Sequence, residues 1–504
     1  MQDTTLPVSP VRQVTRAALT RTAAGVVLSV ASGLMLILAF PPYNVWPLIF
    51  VAFIPLLLAD YRVVPARWAG LGNAVGIGLW LSVYLGMIFG SLTGTWVTKL
   101  VLALVVVMSL ATGRSQRVFH ERTRYRWFVL GGMLNAVGFE MIRSFIPMLA
   151  THAFVGHALH TQPWLIQPVS VFSIYGLDAL IMLVNYALAQ MALALFDMRF
   201  RWSEAPGLET GLRSRWLRGT ALALAAWVCL SLILLSQAPG APPVVRVAAV
   251  QHGYVKPGHM DPDTQEARLR ELASRTRQAA ASGARLVVWS ELGVGFDPQV
   301  EHTAELRALA KETGAYLLIG YGVDDKAGWR NEAVMLTPAG AFLDVYGKNY
   351  PAGEPRIVTS GVYRVYETPL GRLAPIICND VNYTAAARTA ARKSAQVIMV
   401  PTRMFAGVYK EAPVHAVFRA VENRVSTVMV DGAYVSCMVD PYGRFVAKQA
   451  TPAGGPLTLV ADVPLGALNA LCTGLGDWVG WLSLAGYVVF SVFMEATKRR
   501  KEGS

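Results

Sequence analysis

The chain has 504 residues, 54% of them hydrophobic and only 15% charged, which is too apolar for an ordinary soluble enzyme and long enough for two or three domains. A net charge of +13 would suit nucleic acid, but the arginines cluster beside apolar runs, where membrane topology and anionic lipid account for them. No aromatic–basic recognition motif accompanies the charge, so no nucleic-acid partner is expected, and four cysteines are too few for a disulfide scaffold.

A helix needs about 20 apolar residues to cross the hydrocarbon core. In chain order, such runs fall at Thr22–Phe40, Val45–Ala59, Ala69–Gly90, Thr95–Thr112, Trp127–Ile142, Val169–Phe196 and Gly219–Ser236, with an eighth at Trp478–Met494. Basic residues then fix their direction. Arg12, Arg16 and Arg21 precede the first run, Arg62 and Arg67 follow the second, and Arg114, Arg117, Arg122, Arg124 and Arg126 follow the fourth. Arg199, Arg201, Arg213, Arg215 and Arg218 follow the sixth, and Lys498, Arg499, Arg500 and Lys501 follow the eighth. Alternate loops carry almost none, so the positive-inside rule puts the N-terminus in the cytoplasm. The expected organisation is a cytoplasmic tail (1–21), a membrane domain of seven transmembrane helices (22–240), an extracytoplasmic domain (241–477), an eighth transmembrane helix (478–494) and a basic cytoplasmic tail (495–504). The first run begins past residue 20 and lacks a small-residue cleavage site, which argues against a signal peptide.

Polar residues inside spans are expensive. Glu140 with Arg143, and Asp178, fit either internal pairing or the lining of a headgroup site. The loop Ser144–Trp164 holds His152, His157 and His160 at irregular spacing with no carboxylate beside them, so they read as ordinary polar loop residues and no metal is expected. Cys229 reads as packing within a span, and a Cys437–Cys472 disulfide is left open.

After the linker Gln237–Pro243 the pattern changes to strands near Val244–Gln251, Leu286–Trp289, Tyr316–Gly320, Ala333–Leu336, Phe342–Tyr346, Leu373–Ile377 and Val397–Val400, closing with Thr427–Val430 and Tyr434–Val439. Helices are expected over Asp263–Ser282, Glu301–Thr313, Ala385–Arg392 and Ala412–Val425. Strands alternating with helices, then further strands, predict an α/β layered sandwich. Glu291, Lys348 and Cys378 each stand at the end of an apolar strand, where a sheet presents side chains to a cleft. A thiol nucleophile needs a base, and acyl transfer needs a cation or N–H donors for the oxyanion; Glu, Lys and Cys supply these. By spacing alone the commoner case is the plain one, a small core cysteine and two solvated strand ends.

Trp289-Ser-Glu291, Tyr346-Gly-Lys348 and Ile376-Ile-Cys378 resemble, in order, the triad motifs of the nitrilase (carbon–nitrogen hydrolase) superfamily. That resemblance implies an αββα sandwich in which Glu291 is general base, Lys348 stabilises the tetrahedral intermediate and Cys378 is nucleophile. Glu354 falls where that family carries a second carboxylate, and Arg419 and Glu422 look like its structural ion pair. Within the superfamily, Ala39–Leu48, Ile174–Leu177 with Val184-Asn185, and Val250-Gln251 resemble segments of apolipoprotein N-acyltransferases. The fold implied is a polytopic α-helical membrane domain plus the nitrilase-like α/β sandwich. The reaction implied moves an acyl chain from a phospholipid, through a Cys378 thioester, to the amine of diacylglyceryl-cysteine in an apolipoprotein, at the cell inner (plasma) membrane and without a cofactor. The bilayer and both lipids are the expected partners. The sequence departs from that family where Asn379 and Asp380 follow the nucleophile in place of Tyr and Glu, and where Met260 and Met404 stand for two tryptophans near the lipid entrance. A membrane-anchored nitrilase-type amidase, with water as acceptor, is the alternative, and a non-catalytic scaffold a more distant one.

Overall fold

A computed structural model describes residues 10–89, 95–147, 149–200, 210–253, 262–326, 328–354, 358–467 and 469–502. Among these are seven helices long and apolar enough to cross a membrane: Arg16–Ala39, Trp46–Val63, Ala66–Met87, Lys99–Arg122, Val169–Phe200, Gly211–Ser236 and Trp478–Ala496. The fifth expected run, Trp127–Ile142, is also helical, over Phe128–Arg143, but at 16 residues it is about 24 Å long and falls short of the roughly 30 Å hydrocarbon core.

The chain divides into two compact units. The first comprises residues 1–138, 178–226 and 483–504. Its close helix approaches use small residues: a Cβ on Gly33 would come within 2.9 Å of the Gly76 carbonyl oxygen, so neither position accepts a larger side chain without separating the helices. Two buried polar side chains in this unit serve exposed backbone groups of its irregular segments. The Asp60 carboxylate accepts N–H bonds from Gly70, Gly72 and Asn73 at 3.0, 2.6 and 3.0 Å, covering orphan donors where the Leu71–Phe89 helix starts. Asn185 accepts the Phe53 N–H at 3.1 Å and donates to the Ile49 carbonyl at 2.8 Å, tying down the irregular segment after the first helix.

The second unit comprises residues 139–177 and 227–482 and holds two six-stranded sheets. The strands are β1 (Val244–Gln251), β2 (Leu286–Trp289), β3 (Tyr316–Asp325), β4 (Gly328–Leu336), β5 (Tyr346–Gly347), β6 (Tyr366–Thr368), β7 (Gly371–Pro375), β8 (Val397–Thr402), β9 (Ser426–Asp431), β10 (Val435–Val439), β11 (Phe445–Ala450) and β12 (Leu457–Pro464). One sheet runs β12-β1-β2-β3-β4-β5 and the other β11-β10-β9-β8-β7-β6. In each, three central strands are parallel (β1, β2, β3 and β7, β8, β9) and the flanking ones antiparallel. β1 and β2 face β9 and β8 across the sandwich. The Pro262–Ala281 and Thr303–Thr313 helices cover the outside of the first sheet, where Leu272, Leu306, Trp289 and Ile319 form its core. Thr384–Arg392 and Ala412–Asn423 occupy the corresponding place on the second. Burial on both faces explains why the central strands are continuous apolar runs.

The sandwich agrees with the sequence expectation, with two corrections. The strands do not close at Val439: β11 and β12 follow, and β12 pairs with all eight residues of β1, from Val244↔Pro464 to Gln251↔Leu457. The strand expected over Phe342–Tyr346 shrinks to the two-residue β5, with Phe342 making one isolated bridge to Leu336.

Candidate active site

Glu291 lies two residues past β2, Lys348 directly after β5, and Cys378 three residues past β7. The sandwich brings all three together. Lys348 Nζ donates to Glu291 Oε1 at 2.9 Å and also to Glu354 Oε1, while the Cys378 thiol hydrogen-bonds the Glu291 carboxylate and accepts the Arg403 backbone N–H. Glu291 and Lys348 are buried, at 3% and 1% exposure, and Cys378 is partly exposed. Its backbone sits at φ +48°, a left-handed conformation that is costly for a residue with a Cβ.

The electrostatics separate the roles. Burial raises the Cys378 thiol well above its ordinary range, the Glu291 charge adds to this, and Lys348 and the Arg403 N–H offset it only in part, so the resting sulfur keeps its proton. Burial alone would lower Lys348, but the Glu291 charge foremost, and that of Glu354, outweigh it and hold Lys348 as an ammonium. Burial opposes ionisation of Glu354, and the Lys348 charge prevails and lowers it. The arrangement is therefore a protonated thiol touching a carboxylate, with a fixed cation alongside. It can carry a proton from sulfur to Glu291 as the sulfur attacks a carbonyl, and Lys348 can meet the negative oxygen that forms.

The two residues after Cys378 have structural work. Asp380 accepts the Ile377 N–H at 2.9 Å, the Tyr350 N–H at 2.7 Å, the Asn349 N–H at 3.2 Å and the Tyr346 hydroxyl at 2.6 Å. It thus ties the lysine loop to the cysteine turn. Burial raises its pKa to about 6 against the pull of those donors. Asn379 donates to the Tyr350 and Pro351 carbonyls at 3.2 and 3.3 Å. Sequence reasoning missed Asn331, which donates to Glu291 Oε1 at 2.7 Å and whose carbonyl accepts the Lys348 N–H at 2.9 Å. The signal was a polar residue inside a strand, overlooked because that strand was expected to begin at Ala333. Arg403 was missed too, because its contact with Cys378 is made by a backbone N–H, a group that every residue but proline carries.

Met404 is nearly buried, its N–H held by Asp431 Oδ1 at 2.7 Å; Met260 lies outside the described residues. Arg419 and Glu422 form the expected ion pair, at 2.7 Å and fully buried, and Glu422 also accepts the Ile174 N–H at 3.2 Å. Cys437 and Cys472 are free and buried, so they form no disulfide, and Cys229 is exposed on its helix instead of packed inside. The loop histidines are not ordinary surface residues. His152, His157 and His160 are buried, and folding brings the Glu411 carboxylate to 3.5 Å from His152, a partner that their sequence neighbourhood lacks.

Two family models match the chain. The carbon-nitrogen hydrolase model covers residues 246–471, and the apolipoprotein N-acyltransferase N-terminal domain model covers residues 32–187. The chain is 25% identical to an apolipoprotein N-acyltransferase of Geobacter metallireducens, over 92% of its own length and 94% of the relative's. It is likewise 25% identical to one from Azotobacter vinelandii, over 95% and 96%. The chain belongs to the apolipoprotein N-acyltransferase family. Its α/β part alone is 30% identical to a nitrilase of Pyrococcus abyssi, across 37% of this chain and 75% of that one, which places the family's catalytic domain within the carbon–nitrogen hydrolase superfamily. Relatives at that full coverage favour the acyltransferase over the amidase alternative, because a nitrilase accounts for only the second sandwich-bearing part.

Proposed function

We propose that this enzyme transfers an acyl chain from a membrane phospholipid to the N-terminal amine of the diacylglyceryl-cysteine of an apolipoprotein, with Cys378 as the relay. The convergence of Glu291, Lys348 and Cys378 on one point carries the reading. The Cys378 sulfur attacks the phospholipid ester carbonyl while its proton passes to Glu291. Lys348 stabilises the tetrahedral oxyanion, which collapses to a thioester and expels the lysophospholipid oxygen, protonated by Glu291. The acceptor amine then attacks the thioester, gives a proton to Glu291, and leaves as the amide with the thiol restored. A thioester suits the task because it stores the acyl group and still yields to an amine.

An apolar cavity of about 410 Å³ borders the loops on either side of this centre, lined by Met141, Phe145, Tyr350, Tyr383 and Trp481, with Arg388 and Asp477 as its charged pair. It is a candidate seat for a lipid portion of either substrate, and Met404 and Met260 remain candidates for the lipid entrance.

The seven long apolar helices support a multi-pass protein of the cell inner (plasma) membrane. Counting the short Phe128–Arg143 helix as a crossing keeps every basic cluster on one side, which supports a catalytic domain outside the cytoplasm. Incubation with phospholipid labelled in its acyl chain and a diacylated lipopeptide tests the proposal. Label in the lipopeptide amide is the expected product; label found only as free fatty acid would make the enzyme a hydrolase.

A further inference from the structure

The turn Cys378–Asn382 is held at its far end by a chain of polar side chains that the proposed reaction does not use. The Asn382 NH2 donates to Asn379 Oδ1 at 2.8 Å, and the same nitrogen lies 3.1 Å from His152 Nε2. Asn379 in turn donates to the Tyr350 and Pro351 carbonyls, in the loop after Lys348. On the far side of the imidazole, His152 Nδ1 faces Glu411 Oε2 at 3.5 Å, and His415 Nε2 lies 2.9 Å from Glu411 Oε1. Glu411 and His415 stand one helical turn apart at the start of the Ala412–Asn423 helix, and His152 comes from the loop after the Phe128–Arg143 helix. All three are buried.

Donors and acceptors along this chain alternate in one direction only. An ionised carboxylate accepts at both oxygens, so Glu411 takes an N–H from each imidazole. That puts the His152 proton on Nδ1 and makes Nε2 an acceptor. An acceptor there turns the Asn382 NH2 toward His152, and the second proton of that NH2 goes to Asn379 Oδ1. With its oxygen engaged, Asn379 presents its own NH2 to the lysine loop. A flipped Asn382 amide would set its oxygen against His152 Nε2 and Asn379 Oδ1, two contacts between acceptors. Burial opposes ionisation of Glu411, and His415 and then His152 outweigh it and hold the carboxyl well below its ordinary range. The His415 ring stands edge-on to those of His152 and His157, 4.8 and 4.7 Å away and all buried, which excludes water that could replace a mispaired bond.

We propose that His152 is a positioning residue for the acyl transfer, setting the Cys378 turn against the lysine loop through Asn382 and Asn379. The inference rests on the reading of Cys378 as the acyl relay. The backbone it steadies is strained, since Cys378 sits at φ +48°, and such a conformation persists only where its surroundings hold it. Asp380 ties the turn to the lysine loop on one side. Asn382 does so on the other, with its carbonyl fixed by the Thr151 hydroxyl at 2.8 Å and the Thr151 N–H at 3.3 Å. His152 acts through two intervening side chains, so its loss should slow the bond-making step and leave phospholipid binding unchanged.

The two ends of the imidazole can be tested apart. In His152→Gln the longer amide keeps an acceptor for Asn382, whereas in His152→Asn the shorter one keeps a donor for Glu411 and falls short of Asn382. Single-turnover acyl-enzyme formation is measured on the full-length protein in detergent, as a function of phospholipid concentration, with melting temperatures alongside. His152→Asn should lose about tenfold in maximal rate at an unchanged half-saturating concentration, and His152→Gln should stay within about threefold of the parent. Because Asn382 carries the effect, His152→Asn/Asn382→Ala should be no slower than Asn382→Ala. Parental rates in both single variants, equal losses in both, the larger loss in His152→Gln, or additive losses in the double variant would each overturn the role of His152. Equal losses that follow the melting temperature would leave the cluster as structural support alone. A parent that forms no acyl-enzyme would instead defeat the Cys378 relay, and this inference with it.

Discussion

The Tyr346 hydroxyl donates to Asp380 Oδ2 at 2.6 Å, linking β5, the strand just before Lys348, to the turn that begins with Cys378. The same carboxylate accepts three backbone N–H groups, so an ionised Asp380 is the acceptor on which the relative position of cation and nucleophile depends. Asp380→Asn replaces one acceptor oxygen by an NH2 that faces donors. It should lower stability by about 2–4 kcal/mol and reduce turnover more than substrate binding. The pH dependence carries a second signature. Folding raises this carboxyl from 3.8 to about 6, so the folded state binds the proton more tightly, and the group's contribution to stability falls as pH rises through that window. Melting curves from pH 4 to 7 should show that slope in the parent and its loss in Asp380→Asn; parallel curves would reject it.

The Cys378 thiol is protonated at rest. Its alkylation by iodoacetamide should therefore rise about tenfold per pH unit through pH 9 without levelling off. A plateau near neutrality would mean a preformed thiolate, and Glu291 would then not be needed as base for the first step.

Glu291→Gln should slow acylation by roughly 10²–10⁴, measured as the single-turnover rate of acyl-enzyme formation. Asn331→Leu removes a hydrogen bond to that base at 2.7 Å. It should cost less, about tenfold, with KM nearly unchanged, because Asn331 positions Glu291 and does not touch substrate. Equal losses in the two variants would place Asn331 in the chemistry itself.

Lys348→Met should cost at least about 10²-fold in rate by removing the charge that meets the oxyanion. It also leaves Glu291 and Glu354 without the cation between them. Lys348→Met/Glu354→Gln should regain stability in thermal melts without regaining activity. Recovery of activity would show that Lys348 only neutralises its neighbours.

Arg419→Met strands the Glu422 carboxylate, which is fully buried with its partner. A loss of roughly 3–5 kcal/mol is expected, read as a lower melting temperature. Arg419→Met/Glu422→Gln should recover part of it, because the glutamine still accepts the Ile174 N–H.

Much of the second unit's architecture is legible in sequence because its central strands are buried on both faces. Val244–Gln251 and Leu286–Trp289 stand out as apolar runs bounded by polar or turn residues. β11 and β12 escape notice for the opposite reason: Lys448 and Gln449 give one an exposed character, and Asp462 and Pro464 interrupt the other. Its pairing with β1, two hundred residues earlier, is tertiary information. Glu291, Lys348 and Cys378 are identified by their local motifs, since by spacing alone a core cysteine is the commoner case. Asn331 and the Arg403 N–H are set by sheet register, which the sequence does not display. Glu411 reaches His152 only through folding, so a loop with three histidines and no nearby acid reads as featureless.

The central claim is a covalent acyl relay on one sulfur. Mixing the enzyme with a phospholipid of defined chain length, quenching in acid and mapping the peptides by mass spectrometry tests it most directly. The account predicts one acyl group on the peptide containing Cys378, released by neutral hydroxylamine and lost when a diacylated lipopeptide is added before the quench. Transfer that continues in Cys378→Ala, or an acyl group found only on another residue, would contradict it.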